Sequence, residues 1–163
     1  TYMFEICHSS DPHIIKEQYG IYLIGIRQNY IGSNLHEELW LDEFALEYGM
    51  KRPEWGITRF SDLTYNSNIH CKHEGFMVRE VDGEILFKIK TSYFLTKKMS
   101  QYISNSKIAF MFSNPSKFKE TIKPELHEIV DYITTKIRRD EFLELSSTEM
   151  YKLILEVIDI IRS

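Results

Sequence analysis

The chain has 163 residues, of which 43% are hydrophobic, and it carries 24 acidic against 20 basic residues, for a formal charge of -4. This composition excludes disordered, collagen-like and low-complexity chains, and it fits one folded domain with or without a small appendage. The charge argues against a globally basic nucleic-acid-binding surface, although it is compatible with a local basic groove.

The sequence carries no pattern for secretion or membrane insertion. No run approaches the roughly 18 apolar residues of a membrane-spanning helix, and the N-terminus lacks the pattern of a signal peptide. Cys7 and Cys71 are too few for a disulfide framework and suit a reducing compartment. We therefore expect a cytoplasmic protein without a membrane partner. Because a strand-like run begins directly after Thr1, with no initiating Met, we also expect a piece of a longer protein.

Two strands and one helix are predicted in the first 50 residues. Tyr2–Cys7 and Ile21–Arg27 are rich in β-branched and aromatic residues, which favour strands. Asn34 followed three residues later by Glu37 is a capping-box pattern that predicts a helix start, and Gly49 predicts the helix end. The apolar positions of this helix are Leu35, Leu39, Trp40, Leu41, Phe44 and Tyr48. The segment 51–68 is predicted to be a loop with one short strand at 57–60.

The strongest local pattern is a β-hairpin over residues 74–90. Two apolar runs flank Asp82-Gly83, a dipeptide typical of a two-residue hairpin turn. Side chains alternate between the two faces of a strand, so Lys88 and Lys90 lie on the same face.

The chain becomes helical after the hairpin. Ser146 and Glu149 form a second capping-box pattern, which predicts the start of the last helix. The predicted helical segments are Thr96–Ile103, the apolar run Ile108–Phe112, and the two amphipathic stripes Leu126–Ile137 and Leu153–Ile161. We therefore predict an α+β fold, with an antiparallel β-sheet over residues 1–100 followed by an α-helical C-terminal region over 101–163.

The hairpin combines residue types that suit a phosphate site with a metal ligand. Lys88 and Lys90 can bind adjacent phosphate oxygens, Glu74 is a carboxylate, and Gly75 lets a ligand approach the backbone. With a two-residue turn, however, Lys90 faces Gly75 and Glu74 falls on the opposite face. We therefore expect either a longer hairpin loop or a kink at Gly75, which would bring Glu74 and Lys90 together.

The same residues resemble motifs of the covalent nucleotidyltransferases. Glu74-Gly75-Phe76-Met77-Val78 is similar to motif IV, and the run from Lys88 to Phe94 is similar to motif V. Upstream, Phe4-Glu5 resembles motif III, and Tyr22–Asn29 resembles motif IIIa, in the expected order. The pattern is most similar to that of the bacteriophage tRNA-repair RNA ligases and covers roughly residues 1–98.

This resemblance implies the sheet of an ATP-grasp-like ligase fold, followed by a helical domain. It also implies an ATP-dependent reaction in which a lysine takes AMP from ATP, AMP passes to an RNA 5′-phosphate, and a 3′-hydroxyl displaces AMP. Lys88 and Lys90 would hold the phosphates, and Glu74 would hold magnesium or organise the active lysine. The partners would be RNA, ATP and an RNA-end-healing kinase and phosphatase.

Further residues would hold the nucleoside, again by resemblance. Glu5 would contact the ribose of ATP or AMP. Met77 and one of Leu23 or Ile24 would sandwich the adenine as apolar plates, a role that needs only a flat hydrophobic slot.

The sequence departs from the ligase pattern at two places. The nucleophile of that family lies in a Lys-x-Asp-Gly motif, and these 163 residues contain none, so this chain alone is expected not to form a lysyl-AMP. The family also often has Tyr at the position of Phe94, and Tyr93 could supply the missing hydroxyl.

Several other interpretations remain open on the sequence alone. The chain could be a noncatalytic RNA- or nucleotide-binding module, or a protein-interaction domain whose lysines only face solvent. The helical stripes could form a dimer surface rather than a core. The clusters Cys7-His8 with His13 and His70-Cys71 with His73 contain zinc-ligand residue types, but their spacing fits no standard zinc motif.

Overall fold

The structure is a computed structural model that describes residues 1–10, 14–59, 61–63, 71–80 and 85–162. It is about half helical and contains two small antiparallel sheets, which confirms the mixed helical and antiparallel character predicted above. The chain divides into two compact units, the first made of residues 1–63 and 75–89 and the second of residues 64–74 and 90–163. The boundary that we predicted near residue 100 falls inside the second unit.

The first sheet pairs β1 (Tyr2–Cys7) with β2 (Gly20–Ile26), so both predicted strands are present and the second begins and ends one residue earlier than predicted. The strands are antiparallel, and Glu5 lies opposite Tyr22. The register shifts between Met3 and Phe4, which leaves Ile24 as an extra residue on β2. Such a bulge disrupts the ladder locally and bends the strand.

Helix α1 (Glu38–Glu47) begins later than predicted, because the chain first continues along β2. Leu35 forms a bridge with Arg27, and the amide of His36 donates to the carbonyl of Ile26 at 3.0 Å. The N-cap is therefore Glu37, which makes no side-chain capping bond, and the predicted capping box between Asn34 and Glu37 is wrong.

The end of α1 is where the sequence placed it. Gly49 has a φ of +64°, the left-handed conformation that glycine adopts without strain. The amide of Gly49 donates to Leu46 and the amide of Met50 donates to Ala45, the two bonds of a Schellman motif.

The core of the first unit lies between α1 and β2. It consists of the buried residues Leu23, Ile26, Leu41 and Ala45, with Phe44 and Met50 packed against them. The predicted strand at 57–60 is not present over the described residues 57–59, and Phe60 lies outside the described part. Ile57 is largely exposed, so this segment has no buried face to stabilise a strand.

The second sheet is the predicted hairpin, made by β3 (Gly75–Arg79) and β4 (Ile85–Lys90). The Asp82-Gly83 turn lies outside the described residues. At the open end of the hairpin, the amide of Thr91 donates to the carbonyl of Glu74 at 3.1 Å. This bond continues the register in which Gly75 faces Lys90, the register expected for a two-residue turn.

The second unit is helical. Its elements are α2 (Ser92–Ser100), α3 (Asn105–Ser113), α4 (Pro115–Glu120), a 3-10 turn (Pro124–Leu126), α5 (His127–Lys136), α6 (Arg139–Glu144) and α7 (Ser147–Arg162). Helix α2 starts four residues before the predicted Thr96, because the Thr91 hydroxyl accepts a capping hydrogen bond from the amide of Phe94 at 3.1 Å. The short helix α6 was not predicted from the sequence.

Both predicted apolar stripes are buried in this unit. Helix α7 packs against α2 and α5. The fully buried side chains include Leu126, Val130, Ile133, Ile154, Val157 and Ile158. Most of both stripes is therefore core of this unit. The predicted capping box is present: the amide of Ser146 donates to Glu149 at 2.8 Å, and the amide of Glu149 donates to Ser146 at 3.3 Å.

Two leucines of α1 allow a matched test of the core in the first unit. Leu41 is fully buried, whereas Leu46 is 85% exposed on the same helix. Leu41→Ala is expected to lower the free energy of unfolding by about 2–5 kcal/mol, because it leaves a cavity in a packed core. Leu46→Ala should change it by no more than about 0.5 kcal/mol. Urea denaturation of both variants measures the difference, and equal effects would show that α1 does not bury Leu41.

Candidate functional site

The structure brings together two of the predicted site residues, Glu74 and Lys90. Glu74 lies just before β3, and Lys90 is the last residue of β4. Their side chains form an ion pair in which the carboxylate is 38% exposed and the lysine 24% exposed. The chain bends at His73 and Glu74, one step ahead of the predicted position at Gly75. Side chains alternate between the two faces only within the strand, and Glu74 precedes it. The alternation along β3 therefore does not direct the Glu74 side chain away from Lys90.

The ammonium of Lys90 also lies over an aromatic ring, 4.5 Å from the centroid of Phe94. A second ammonium, that of Lys98, lies 5.0 Å from the same centroid and forms an ion pair with Glu125 at 2.6 Å. The negative face of an aromatic ring attracts cations, so Phe94 helps to hold both lysines. We call Glu74, Lys90, Phe94, Lys98 and Glu125 the charge cluster.

The pKa of Glu125 indicates that the members of the charge cluster affect one another. Burial by itself would raise this pKa, but the hydrogen bond from Lys98 and the positive charges of Lys98 and Lys90 hold it below its ordinary value. The two lysines are thus close enough to stabilise one carboxylate together.

The turn from β4 into α2 fixes the backbone beside Lys90. Thr91 and Ser92 have no exposed surface. The Thr91 hydroxyl donates to the carbonyl of His73 at 2.6 Å and accepts from the amide of Phe94. The residues that precede β3, the end of β4 and the start of α2 are therefore joined through one threonine.

The other predicted site residues belong to the first unit. Lys88 is exposed on β4, and Met77 is 51% exposed on β3, which begins at Gly75. Glu5 is exposed on β1.

Of the two predicted adenine plates on β2, only Ile24 is reached by solvent. Leu23 has no exposed surface because it packs under α1 with Ile26 and Leu41. Ile24 is partly exposed and occupies the bulge.

A second polar cluster in the first unit was not predicted. Arg52 forms ion pairs with Glu38 and, at 3.0 Å, with Asp42, and it donates to the carbonyl of Leu23 at 2.6 Å. Arg79 pairs with Glu38 at 2.9 Å and donates to the carbonyl of Ile24 at 2.7 Å. These arginines therefore bind backbone carbonyls at the bulge of β2 and carboxylates of α1. Because each guanidinium joins backbone to helix, we interpret this cluster as structural.

Two shallow grooves lie elsewhere on the first unit. One, of about 560 Å³, is lined in part by Asp42, Met50 and Trp55. The other, of about 440 Å³, is lined by Phe4, Ile21, Gly49, Met50 and Lys51. Neither groove is lined by a predicted site residue.

Within the described ranges, no three His, Cys, Asp or Glu side chains gather to bind a metal. Cys7 and Cys71 are not joined in a disulfide, and His13 and His70 of the zinc alternative lie outside those ranges. In the same described part of the chain, each helix is too short or too polar to cross a lipid bilayer.

The chain was compared with protein-family models, with curated proteins and with solved structures, and none of them matches it.

The shared electrostatics of the charge cluster can be tested through Glu125. Lys98→Met is expected to raise the pKa of Glu125, because the variant loses a hydrogen bond and a positive charge while burial persists. Lys90→Met should raise it by less, because Lys90 acts on Glu125 through its charge alone. An NMR pH titration of the Glu125 carboxyl measures both shifts. The exposed Lys117→Met is the matched control, and equal pKa values in all three variants would contradict the cluster.

The sign of the accompanying stability change follows from the lowered pKa. The Lys98–Glu125 pair stabilises the folded chain above the ordinary pKa of 4.5, and this contribution is lost as the pH falls through the lower folded value. Lys98→Met should therefore be less sensitive than the wild type to acid below about pH 4.5.

Proposed function

We propose that this chain is part of an ATP-dependent RNA ligase and that it supplies phosphate, ribose and metal contacts but not the nucleophile. The observation that carries the proposal is the meeting of Glu74 and Lys90 at the open end of the hairpin. The proposal rests on this pairing together with the order of the sequence motifs that contain both residues.

The Glu74–Lys90 pair suits the exchange of one ionic partner for another. Lys90 is a partly buried cation already positioned between a carboxylate and an aromatic ring. A phosphate group can replace Glu74 as the partner of Lys90, and Glu74 is then left to bind a cation such as magnesium. Magnesium is usually bound through one or two carboxylates together with substrate phosphates and water, so a single carboxylate fits this role. When phosphate and magnesium bind together, their opposite charges offset each other, so the net charge of the site changes little.

The chemistry served by these residues is the transfer of AMP. When a lysine attacks the α-phosphorus of ATP, a P–N bond forms and pyrophosphate leaves. An oxygen of the RNA 5′-phosphate next attacks the phosphorus of the AMP, which breaks the P–N bond and releases the lysine. A 3′-hydroxyl finally attacks the RNA 5′-phosphorus, and AMP leaves as the phosphodiester forms. Negative charge is carried by the oxygens of the reacting phosphoryl group in each step, and Lys88 and Lys90 would stabilise it. The ends that are joined, a 5′-phosphate and a 3′-hydroxyl, are those that an end-healing kinase and phosphatase would produce.

The resemblance also proposes residues that bind the nucleoside. Ile24 and Met77 are the solvent-accessible apolar side chains proposed to sandwich adenine, and the exposed Glu5 is proposed to bind the ribose. The fully buried Leu23 would instead support Ile24 from the core.

A noncatalytic RNA- or nucleotide-binding module is the alternative function. The lack of a Lys-x-Asp-Gly lysine in these 163 residues favours it. Binding alone does not distinguish the two functions, because both use the same phosphate contacts.

Nucleotide binding tests the phosphate contacts that both functions share. Isothermal titration of the 163-residue chain with AMP and MgCl2 should detect binding, and Lys88→Ala or Lys90→Ala should each weaken it about tenfold or more, the effect of losing one charge-assisted hydrogen bond. The control is Lys117→Ala, which removes an exposed lysine from α4. If all variants bind AMP as the wild type does, the lysines have a solvent-facing role and the proposal is wrong.

Formation of lysyl-AMP separates the ligase from the binding module. The chain alone is expected to give no covalent adduct with ATP labelled on the α-phosphate. A protein that carries this chain together with a Lys-x-Asp-Gly segment should form the adduct, and Glu74→Ala should greatly reduce it. A full-length protein that binds ATP without forming an adduct would support the noncatalytic module.

A further inference from the structure

The last helix of the second unit reaches the turn that carries Lys90. Arg162, the final residue of α7, donates through Nη2 to the carbonyl of Lys90 at 2.9 Å. Its Nη1 lies 3.3 Å from the hydroxyl of Ser92. That hydroxyl in turn donates to Asp159, one helical turn earlier on α7, at 3.3 Å. One guanidinium therefore binds both sides of Thr91.

The surroundings of Arg162 show that this contact is more than a surface pairing. Burial lowers the pKa of the Arg162 guanidinium, while the nearby Asp159 raises it. A buried charge is stable only when hydrogen bonds and a counter-charge compensate for lost hydration. The Lys90 carbonyl and the Ser92 hydroxyl are two of these compensating groups.

We propose that Arg162 is a positioning residue for Lys90, acting through the backbone of the turn that links β4 and α2. Its consequence for phosphate binding rests on the proposed function, whereas the positioning itself does not. Arg162 acts on the backbone of Lys90, from which the lysine side chain extends.

The physical reason lies in where the strand ends. Beyond Lys90 the chain leaves β4, and the hairpin ladder adds one more bond there, from the amide of Thr91 to the carbonyl of Glu74. Thr91 ties the turn to His73, and Arg162 ties it to α7, which packs against both α2 and α5. Because α2 carries Phe94, this arrangement holds the Lys90 backbone and the ring beneath its ammonium in one packed unit.

Arginine is suited to this role by its shape. A planar guanidinium can donate to two acceptors in fixed directions, whereas a lysine ammonium acts as a compact point charge on a flexible stem. We therefore expect Arg162→Lys to retain part of the effect and Arg162→Met, of similar length but uncharged, to lose it.

Two lysines on one ring provide an internal reference for the test. The ε-methylene protons of Lys90 and Lys98 both lie near Phe94, so the ring current should shift their NMR signals upfield. Lys98 is held by Glu125 rather than by Arg162. Arg162→Met should move the Lys90 signal toward its random-coil position and leave the Lys98 signal in place. The exposed Arg139→Met on α6 is the matched control and should move neither.

The possible outcomes separate positioning from general stability. Movement of both lysine signals, or of neither, in a folded Arg162→Met would overturn the inference. If Arg162→Met does not fold, the same NMR signals are measured in Arg162→Lys. A Lys90 signal identical to that of the wild type in this variant would overturn the inference.

A second measurement links positioning to the proposed function. Titration with AMP and MgCl2 should show weaker binding by Arg162→Met, intermediate binding by Arg162→Lys and wild-type binding by Arg139→Met. If the wild type and Lys90→Ala bind AMP equally, the proposed function fails while the NMR result still decides the positioning. If Lys90→Ala weakens binding but Arg162→Met binds as the wild type does, the proposed function stands and the inference fails.

Discussion

The candidate site depends on one constraint, the buried turn in which β4 becomes α2. Thr91 and Ser92 are completely buried, and their polar groups bond to His73, to Phe94 and to Asp159. Buried polar groups cost free energy unless they are hydrogen-bonded, so the turn is stable only while these distant partners are in place. Lys90 adjoins this turn, and the position of its ammonium follows from it.

The charge cluster built on this turn has a chemistry of its own. The ammonium groups of Lys90 and Lys98 lie over the ring of Phe94, and each is paired with a carboxylate. The positive charges of both lysines lower the pKa of one of these carboxylates, that of Glu125. A cluster of this kind can remain as it is, as a structural ion-pair network. It can also bind a phosphate at Lys90 together with a cation at Glu74 without a large change in net charge, and the proposed ligase function uses this second property.

In the first unit, the charged side chains of Arg52 and Arg79 connect backbone to helix. The bulge at Ile24 places backbone carbonyls where Arg52 and Arg79 can reach them, and the same arginines bind carboxylates of α1. Removing one partner from such a buried network leaves an uncompensated charge. We therefore regard these arginines as part of the framework that presents Ile24 on β2.

Elements whose signals are local could be predicted from the residues alone. Strand-favouring residues predicted β1 and β2, and a turn dipeptide between two apolar runs predicted the hairpin. Helical spacing predicted the two buried stripes, and residues three apart predicted the cap of α7. Each of these patterns lies within a few neighbouring residues. The sequence also singled out Glu74 and Lys90. Three features depend on packing between distant parts of the chain. Helix α1 starts after the chain has followed β2, Leu23 is buried while Ile24 is accessible, and Lys98, Glu125 and Arg162 lie around Lys90. Arg162 lies 72 residues from Lys90 along the chain. No local pattern links two such residues, because their contact exists only once the packing of α7 against α2 brings them together.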